Sequence, residues 1–368
     1  MQKSEVCVLH DYGILNRGGA ETLVMNLYRL IDRRKVQFGF VVHLDTPGDY
    51  DGEVERLGGT IFYAPRYRGS NHFAYVTWWK KFFENHPEYR IVHSHIRSTA
   101  SIVLAIAQRC GRKIIAHSHS VSNGSGVRAV AKGLLQLNIV KHADDLFACS
   151  DAAGRWLFGR AANGENYFVF KNAIDISAFA YNHDARMKLR EEFGQQASFV
   201  MGTVGRITMA KNPYGIIRTI QGVCRQIPEA RFLWVGTGEL ESEVKQYITN
   251  IGIADKVIFA GNRSDVPALL SAMDVFLFPS LWEGLGMAAI EAQASGLPCL
   301  VSDRLPPEIN ITSLVQRIAP EDTQGWVDAV LAIKENRHRV DTIQAMQTAG
   351  YDISESAKWL QDFYWNHC

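Results

Sequence analysis

Short apolar runs recur along the chain, each bounded by glycine, proline or charge, and most are followed by apolar residues at helical spacing. In the first half the runs at 6–9, 38–44, 61–63, 90–95, 113–120, 146–149 and 167–170 read as strands. A Gly/Asp/Pro-rich loop separates the second from the third. Leu23, Met25, Leu27, Leu30 and Ile31 mark one helix, and the stretches 99–109 and 128–142 mark others. Residues 172–196 are polar and highly charged, and the interdomain connection is expected there. The alternation then restarts, with strands at 199–206, 231–238, 256–261, 274–278 and 298–302. Helices are expected at 213–226, 239–250, 264–273, 287–294, 326–334, 340–349 and 354–365. Strands alternating with helices at this spacing imply βαβ units and parallel sheets, so the predicted class is α/β. In such sheets ligands collect at the carboxyl ends of strands.

A length of 368 residues makes two domains the prior. The 47% hydrophobic and 21% charged content describes a soluble globular protein, and the apolar runs are too short to span a membrane. Six scattered cysteines lack any C-x-x-C pair and read as reduced thiols of a cytosolic protein, and the N-terminus carries no signal-peptide pattern. The net charge of +1 conceals an asymmetry. Residues 1–170 hold 21 Lys+Arg against 15 Asp+Glu, and the remainder hold 18 against 23. The basic half suggests an anionic partner or an anionic membrane surface, and a chance imbalance over solvated faces is the plainer reading. Phe73, Val76, Trp79 and Phe83 form a helical stripe beside Tyr75, Trp78 and Phe82, interrupted by Lys80 and Lys81. That composition suits a membrane interface or, more simply, a helix covering the sheet.

The chemistry concentrates at strand ends. Ser280-Leu281-Trp282-Glu283-Gly284-Leu285-Gly286-Met287 joins a buried strand to a helix, and Glu291 follows a little over two turns beyond Glu283. A strand, a glycine turn and a helix N-terminus favour a negatively charged ligand, although an ordinary βα turn looks the same. Arg206 and Lys211 flank the start of the helix at Pro213 and could hold a diphosphate or be solvated loop charges. Gly18-Gly19 precedes another helix, and Val235-Gly236-Thr237-Gly238 ends another strand. Two strands end in His-x-His, His93/His95 and His117/His119. Such pairs share a face, which suits a metal site, structural histidines, or a histidine facing phosphate or sugar. No carboxylate-rich partner motif accompanies them, so no metal is expected. The loop 121–127 beside them could close over an acceptor.

The ordered set Gly-Gly-Ala-Glu, His-x-His, Gly-Arg-x4-Lys-Asn and Glu-Gly-Leu-Gly-x4-Glu, on two consecutive doubly wound halves, resembles the retaining glycosyltransferases of family 4, covering nearly the whole chain. The resemblance implies a GT-B fold: a Rossmann-like acceptor domain (1–172) and a Rossmann-like donor domain (173–350) facing a cleft, with 351–368 crossing back onto the first. It implies a retaining, metal-independent hexosyl- or N-acetylhexosaminyl-transferase acting in bacterial surface polysaccharide synthesis. The donor would be an NDP-sugar, UDP first, and the acceptor a glycan or lipid-linked glycan. No cofactor and no nucleic-acid partner is implied, and the place of work is the cytoplasm, at the inner face of the membrane. By the same resemblance Arg206 and Lys211 would bind the diphosphate, Gly18 and Gly19 would approach it, and Glu291 would bind the ribose. Glu283 and the amides of Leu285, Gly286 and Met287 would hold the sugar, with His119, or else His117, near the reacting carbon. Gly236, Gly238, Asn262 and Arg263 would lie near the nucleotide. Asp303 to Glu308 departs from the family's usual glycine-containing loop. A nucleotide-sugar epimerase of the same architecture and a non-catalytic nucleotide- or glycan-binding protein are the alternatives.

Overall fold

A computed structural model describes residues 5–119, 133, 136–196, 198–336 and 338–367. The chain forms two compact units, Met1–Ile174 with Gly350–Cys368, and Asp175–Ala349. The first contains a seven-stranded sheet: β1 (Val6–Tyr12), β2 (Val36–Val42), β3 (Thr60–Tyr63), β4 (Tyr89–Ser94), β5 (Lys113–Ser118), β6 (Asp145–Ala148) and β7 (Tyr167–Val169). Its spatial order is β3-β2-β1-β4-β5-β6-β7, and every pairing is parallel. The second contains β8 (Val200–Val204), β9 (Arg231–Val235), β10 (Val257–Gly261), β11 (Val275–Phe278), β12 (Cys299–Ser302) and β13 (Val315–Ile318). Their order is β10-β9-β8-β11-β12-β13, again all parallel. Helices cover both faces of such sheets, which is why the strands are nearly unbroken in apolar residues. In each sheet the order reverses once, between β1 and β4 and between β8 and β11, and crevices open at such switch points.

The last helix, Ile353–Asn366, belongs to the first unit. Ala357, Leu360, Phe363 and Tyr364 are buried against the helix Gly19–Leu30, β1 and β2. The chain returns there through paired backbones: the Ile174 N–H donates to Tyr351 and the Ile353 N–H to Ile174, both at 3.0 Å.

Several expectations change. The crossing between the units falls at Ile174/Asp175, inside the polar passage, and the remainder of that passage belongs to the second unit, with helices Ile176–Phe179 and His183–Glu192. The latter carries few apolar residues because its inner face is held by charge. Arg186 and Arg190, one turn apart, bind Asp274 at 2.7 and 2.6 Å. Burial pushes the Asp274 carboxyl up, and the two guanidiniums overcome this and hold it below its usual range. The loop between β2 and β3 contains a short helix, Asp51–Arg56, and β13 was not anticipated because Gln316 and Arg317 interrupt its apolar pattern. In the helix His72–Asn85 the buried set is Tyr75, Trp79, Phe82 and Phe83, whereas Phe73 is 86% exposed. The loop 121–127 and most of the helix expected at 128–142 lie outside the described residues; the end of that helix is Ile139–His142. Among the described residues no helix is long and apolar enough to cross a membrane, and the five described cysteines form no disulfide with one another.

Candidate active site

Two groups of functional side chains stand at the two switch points. In the second unit the turn after β8 and the turn after β11 are tied together, the Leu281 N–H donating to the Ala210 carbonyl at 2.8 Å. Lys211 ion-pairs with Glu283 and lies over the Phe278 ring at 4.7 Å from its centroid. Both charges are only partly exposed, and the pair is poised at the mouth of the β8/β11 crevice. Asn212 follows in the left-handed conformation, and its side chain caps the helix Pro213–Gln226 by accepting from the Gly215 N–H at 3.1 Å. Arg206 is exposed and makes no ion pair among the described residues. Lys211 and Arg206 therefore present two cations on one loop, one braced and one free to turn.

Gly286 caps the helix Met287–Ala294 at φ +87, a backbone conformation open to glycine, and no side chain caps that helix end. The amides of its first turn thus remain available to an anion or hydroxyl. Leu285 is buried below the turn, and Trp282 is largely exposed. Glu291, deeper in the helix and half-buried, makes no ion pair or side-chain hydrogen bond among the described residues, and desolvation pushes its carboxyl up to about 7. Gly236 and Gly238 are required sterically: a Cβ at either would collide with the backbone of the 205–207 loop. Asn262 is exposed beside them. Arg263 is held by Asp265 at 2.6 Å and by Glu192 at 3.1 Å, so its guanidinium is already engaged in an ion cluster.

In the first unit five imidazoles stack at the β1/β4 switch point. His10, on β1, pairs in register with His93 on β4. One row runs His10 Nδ1 to His95 Nε2 (3.0 Å) and His95 Nδ1 to His119 Nε2 (2.8 Å). A second row, one layer deeper, runs from the Tyr364 hydroxyl to His93 Nδ1 (2.5 Å) and from His93 Nε2 to His117 Nδ1 (3.1 Å). The rows stack on one another, with His93 4.4 Å from His95 and His117 4.0 Å from His119 between ring centroids. Burial, with neighbouring imidazoles contributing to His93, His95 and His117, holds these three well below the usual histidine range; burial alone lowers His10 to about 3. His119 is also lowered to about 3, by burial and then by the nearby Arg97. All five are therefore neutral donors and acceptors at pH 7.

His117 is 2% exposed and bonded inward, whereas His119 stands at the outer end of its row. Nitrogens of three histidines approach within 4.8 Å in two overlapping sets, His10/His93/His95 and His95/His117/His119. The ring planes are nearly parallel and most nitrogens are spent on each other, so their lone pairs do not converge on one point as a tetrahedral metal needs. His10, absent from any His-x-His motif, is a member that sequence spacing could not supply. Asp11 and His43 were also missed: Asp11 accepts from Ser94 Oγ (3.0 Å) and lies 2.8 Å from His43 Nε2. His43 borders a cavity of about 700 Å³ with Asp45, Tyr63, Arg66, Arg68 and Trp78. At the Gly18-Gly19 turn, the Glu21 carboxylate folds back over Gly18, and burial raises its pKa.

Residues 186–351 match the family described as glycosyl transferases group 1, and residues 17–178 match glycosyltransferase family 4. The chain is 31% identical to the putative glycosyltransferase EpsF of Bacillus subtilis over 99% of its own length and 97% of that protein's. It belongs to the group 1 glycosyltransferases. It is therefore a transferase enzyme with two Rossmann-like parallel-sheet units of the GT-B class. A 139-residue segment is 37% identical to the UDP-Gal:α-D-GlcNAc-diphosphoundecaprenol α-1,3-galactosyltransferase of Escherichia coli, covering 37% of this chain and 36% of that one. Among solved structures, HepE of Anabaena in complex with UDP superposes with a TM-score of 0.74 at 18% identity, covering 97% and 95% of the two chains. A glycosyltransferase from Rickettsia africae gives 0.81 at 14% identity, covering 98% of each, and both likenesses concern the fold.

Proposed function

We propose that this glycosyltransferase moves a hexose or N-acetylhexosamine from an NDP-sugar, UDP first, to a glycan or lipid-linked acceptor, with retention and without a metal. The observation that carries the reading is the Lys211–Glu283 pair, braced between the two turns of the β8/β11 crevice. When the bond from the sugar's anomeric carbon to the diphosphate breaks, negative charge develops on the departing oxygen. Arg206, Lys211 and the uncapped amides at Gly286 and Met287 are donors suited to that charge, in place of a divalent ion. Glu283, once drawn from Lys211, is free to accept hydroxyls of the sugar. Glu291 accepts from the ribose.

Among the described residues the turn after β11 offers no second carboxylate beside Glu283 to form a covalent sugar intermediate. A front-face route follows: the acceptor oxygen bonds to the anomeric carbon on the side the diphosphate leaves, and its proton passes to the departing phosphate oxygen. The similarity to EpsF and to an enzyme whose name gives a diphosphoundecaprenol acceptor supports a role in bacterial surface polysaccharide synthesis, at the inner face of the membrane. The test is calorimetry with UDP-, GDP- and ADP-sugars. Lys211→Ala is expected to weaken UDP binding about 10- to 100-fold, the worth of a charge-assisted contact. Unchanged affinity in that variant removes the donor site from this crevice.

A further inference from the structure

The first unit holds a cavity of about 700 Å³ at the carboxyl ends of β2 and β3, to one side of the β1/β4 switch point, and no step of the proposed transfer uses it. Its floor is fixed. His43, the residue after β2, is 8% exposed and has both ring nitrogens engaged, Nε2 with Asp11 at 2.8 Å and Nδ1 with the Tyr75 hydroxyl at 3.3 Å. Trp78 supplies an apolar wall. Its indole stacks on Phe82, one turn further along the helix His72–Asn85, with ring centroids 5.2 Å apart and planes 14° apart, and meets Trp79 edge-on at 5.1 Å. Asn71 shapes the rim: its side chain accepts from the Arg68 N–H at 2.8 Å and donates to the Arg66 carbonyl at 2.9 Å. These bonds fold the loop after β3 so that Arg66 and Arg68 line the same cavity, together with Asp45 and Tyr63. Both arginines are exposed, and among the described residues neither pairs with a carboxylate. Arg29, Arg34, Arg263 and Arg304 differ, since each is taken by an Asp or Glu. Asp45 is likewise exposed and without a cation among the described residues.

A rigid indole, two unpaired guanidiniums and one carboxylate thus surround a volume typical of small-molecule sites. A sugar ring has an apolar C–H face, which an indole plane suits, and a girdle of hydroxyls, which a carboxylate such as Asp45 accepts. The two arginines ask in addition for an anion, which a guanidinium fork holds by paired hydrogen bonds. A neutral sugar leaves both forks unanswered, and a small anion without a ring leaves the indole unused. We propose that this cavity binds an acidic saccharide, a uronate-type ring of the acceptor glycan, with the ring on Trp78 and its carboxylate on Arg66 and Arg68. The cations assigned to the donor, Arg206 and Lys211, belong to the second unit, so the two sites share no residue. Assigning the saccharide to the acceptor rests on the transfer reading above, whereas the binding of an acidic sugar in this cavity does not.

The probe is sodium glucuronate, titrated into the full chain by saturation-transfer difference NMR, with glucose as the uncharged ring and acetate as the anion without a ring. Glucuronate is expected to bind at least about fivefold more tightly than either control, the worth of one exposed ion pair over glucose and of one aromatic contact over acetate. Arg66→Gln and Arg68→Gln are each expected to weaken glucuronate about fivefold and to leave glucose and UDP affinities unchanged. Trp78→Leu should weaken glucuronate and glucose alike; if it melts abnormally, the two arginine variants, which alter exposed side chains, decide. Glucuronate and glucose bound equally overturn the acidic group, and glucuronate and acetate bound equally overturn the saccharide. Glucuronate that does not bind, or binds equally in wild type and both arginine variants, overturns the cavity as its site. Glucuronate displaced by UDP moves the anion to the donor crevice and overturns the assignment. If UDP itself fails to bind, the donor reading falls, and the glucuronate series without UDP still decides the cavity.

Discussion

Glu291 illustrates how one half-buried carboxyl can make a binding site pH-dependent. Its pKa is pushed up to about 7 by burial without a compensating cation. A carboxyl raised in the folded state binds more protons than the unfolded chain between its ordinary value and about 7. Its contribution to stability is therefore full at low pH and is lost as pH rises through that window. The proposed acceptance of ribose hydroxyls would run the other way, since the ionised form is the better acceptor. UDP affinity is expected to strengthen roughly tenfold between pH 6 and pH 8, following the ionised fraction. Glu291→Gln should flatten that profile and make the protein less sensitive to alkaline pH in thermal melting; an unchanged profile in the variant would remove Glu291 from the nucleotide's contacts. Tyr364 offers a second residue-scale test. Its hydroxyl is 2.5 Å from His93 Nδ1 in the buried imidazole row. Tyr364→Phe keeps the ring and leaves a buried nitrogen unpaired, a loss of about 1–3 kcal/mol in urea unfolding.

At the scale of elements, glycine-rich turns and ion-anchored helices do the positioning. The helix His183–Glu192 is fixed by Arg186 and Arg190 converging on Asp274, which also accepts from the Val200 N–H at 2.8 Å. Asp274→Ala strands two buried guanidiniums and is expected to cost about 3–5 kcal/mol. A substitution of Arg263 is a useful contrast, because its ion cluster with Asp265 and Glu192 is near the surface and is worth less. Element types were largely legible in the sequence. Helices 213–226 and 287–294 match their observed limits because Pro213 and Gly286 mark their starts unmistakably. The helix His183–Glu192 was not, since its stabilising face is charged and carries no hydrophobic period. The strand Val315–Ile318 was missed for the same reason.

For the whole molecule, each unit has its own sheet, its own switch point and its own cluster of polar side chains. The last helix completes the first unit: Ala357, Leu360, Phe363 and Tyr364 would leave an open apolar face if removed. A chain ending at Gly350 is expected to lose hydrogen-exchange protection in β1 and β2 while β8 and β11 keep theirs. Equal protection in all four strands would show that the helix adds nothing to the first core.

The spacing of apolar runs and turn residues by itself determined the α/β class, the doubling of the pattern, and the strand ends at which Arg206, Lys211, Glu283, Glu291 and the two His-x-His pairs stand. These are local properties, set by a strand period of two, a helix period of 3.6 and the backbone demands of glycine and proline. Only the tertiary structure decided which distant residues meet. His10 and Tyr364 join the imidazole rows, Lys211 chooses Glu283, Arg263 is taken by Asp265 and Glu192, and Arg97 lays its guanidinium over Trp156. Partnership between groups far apart in the chain depends on strand order and on what else is buried nearby, and neither leaves a periodic mark in the sequence.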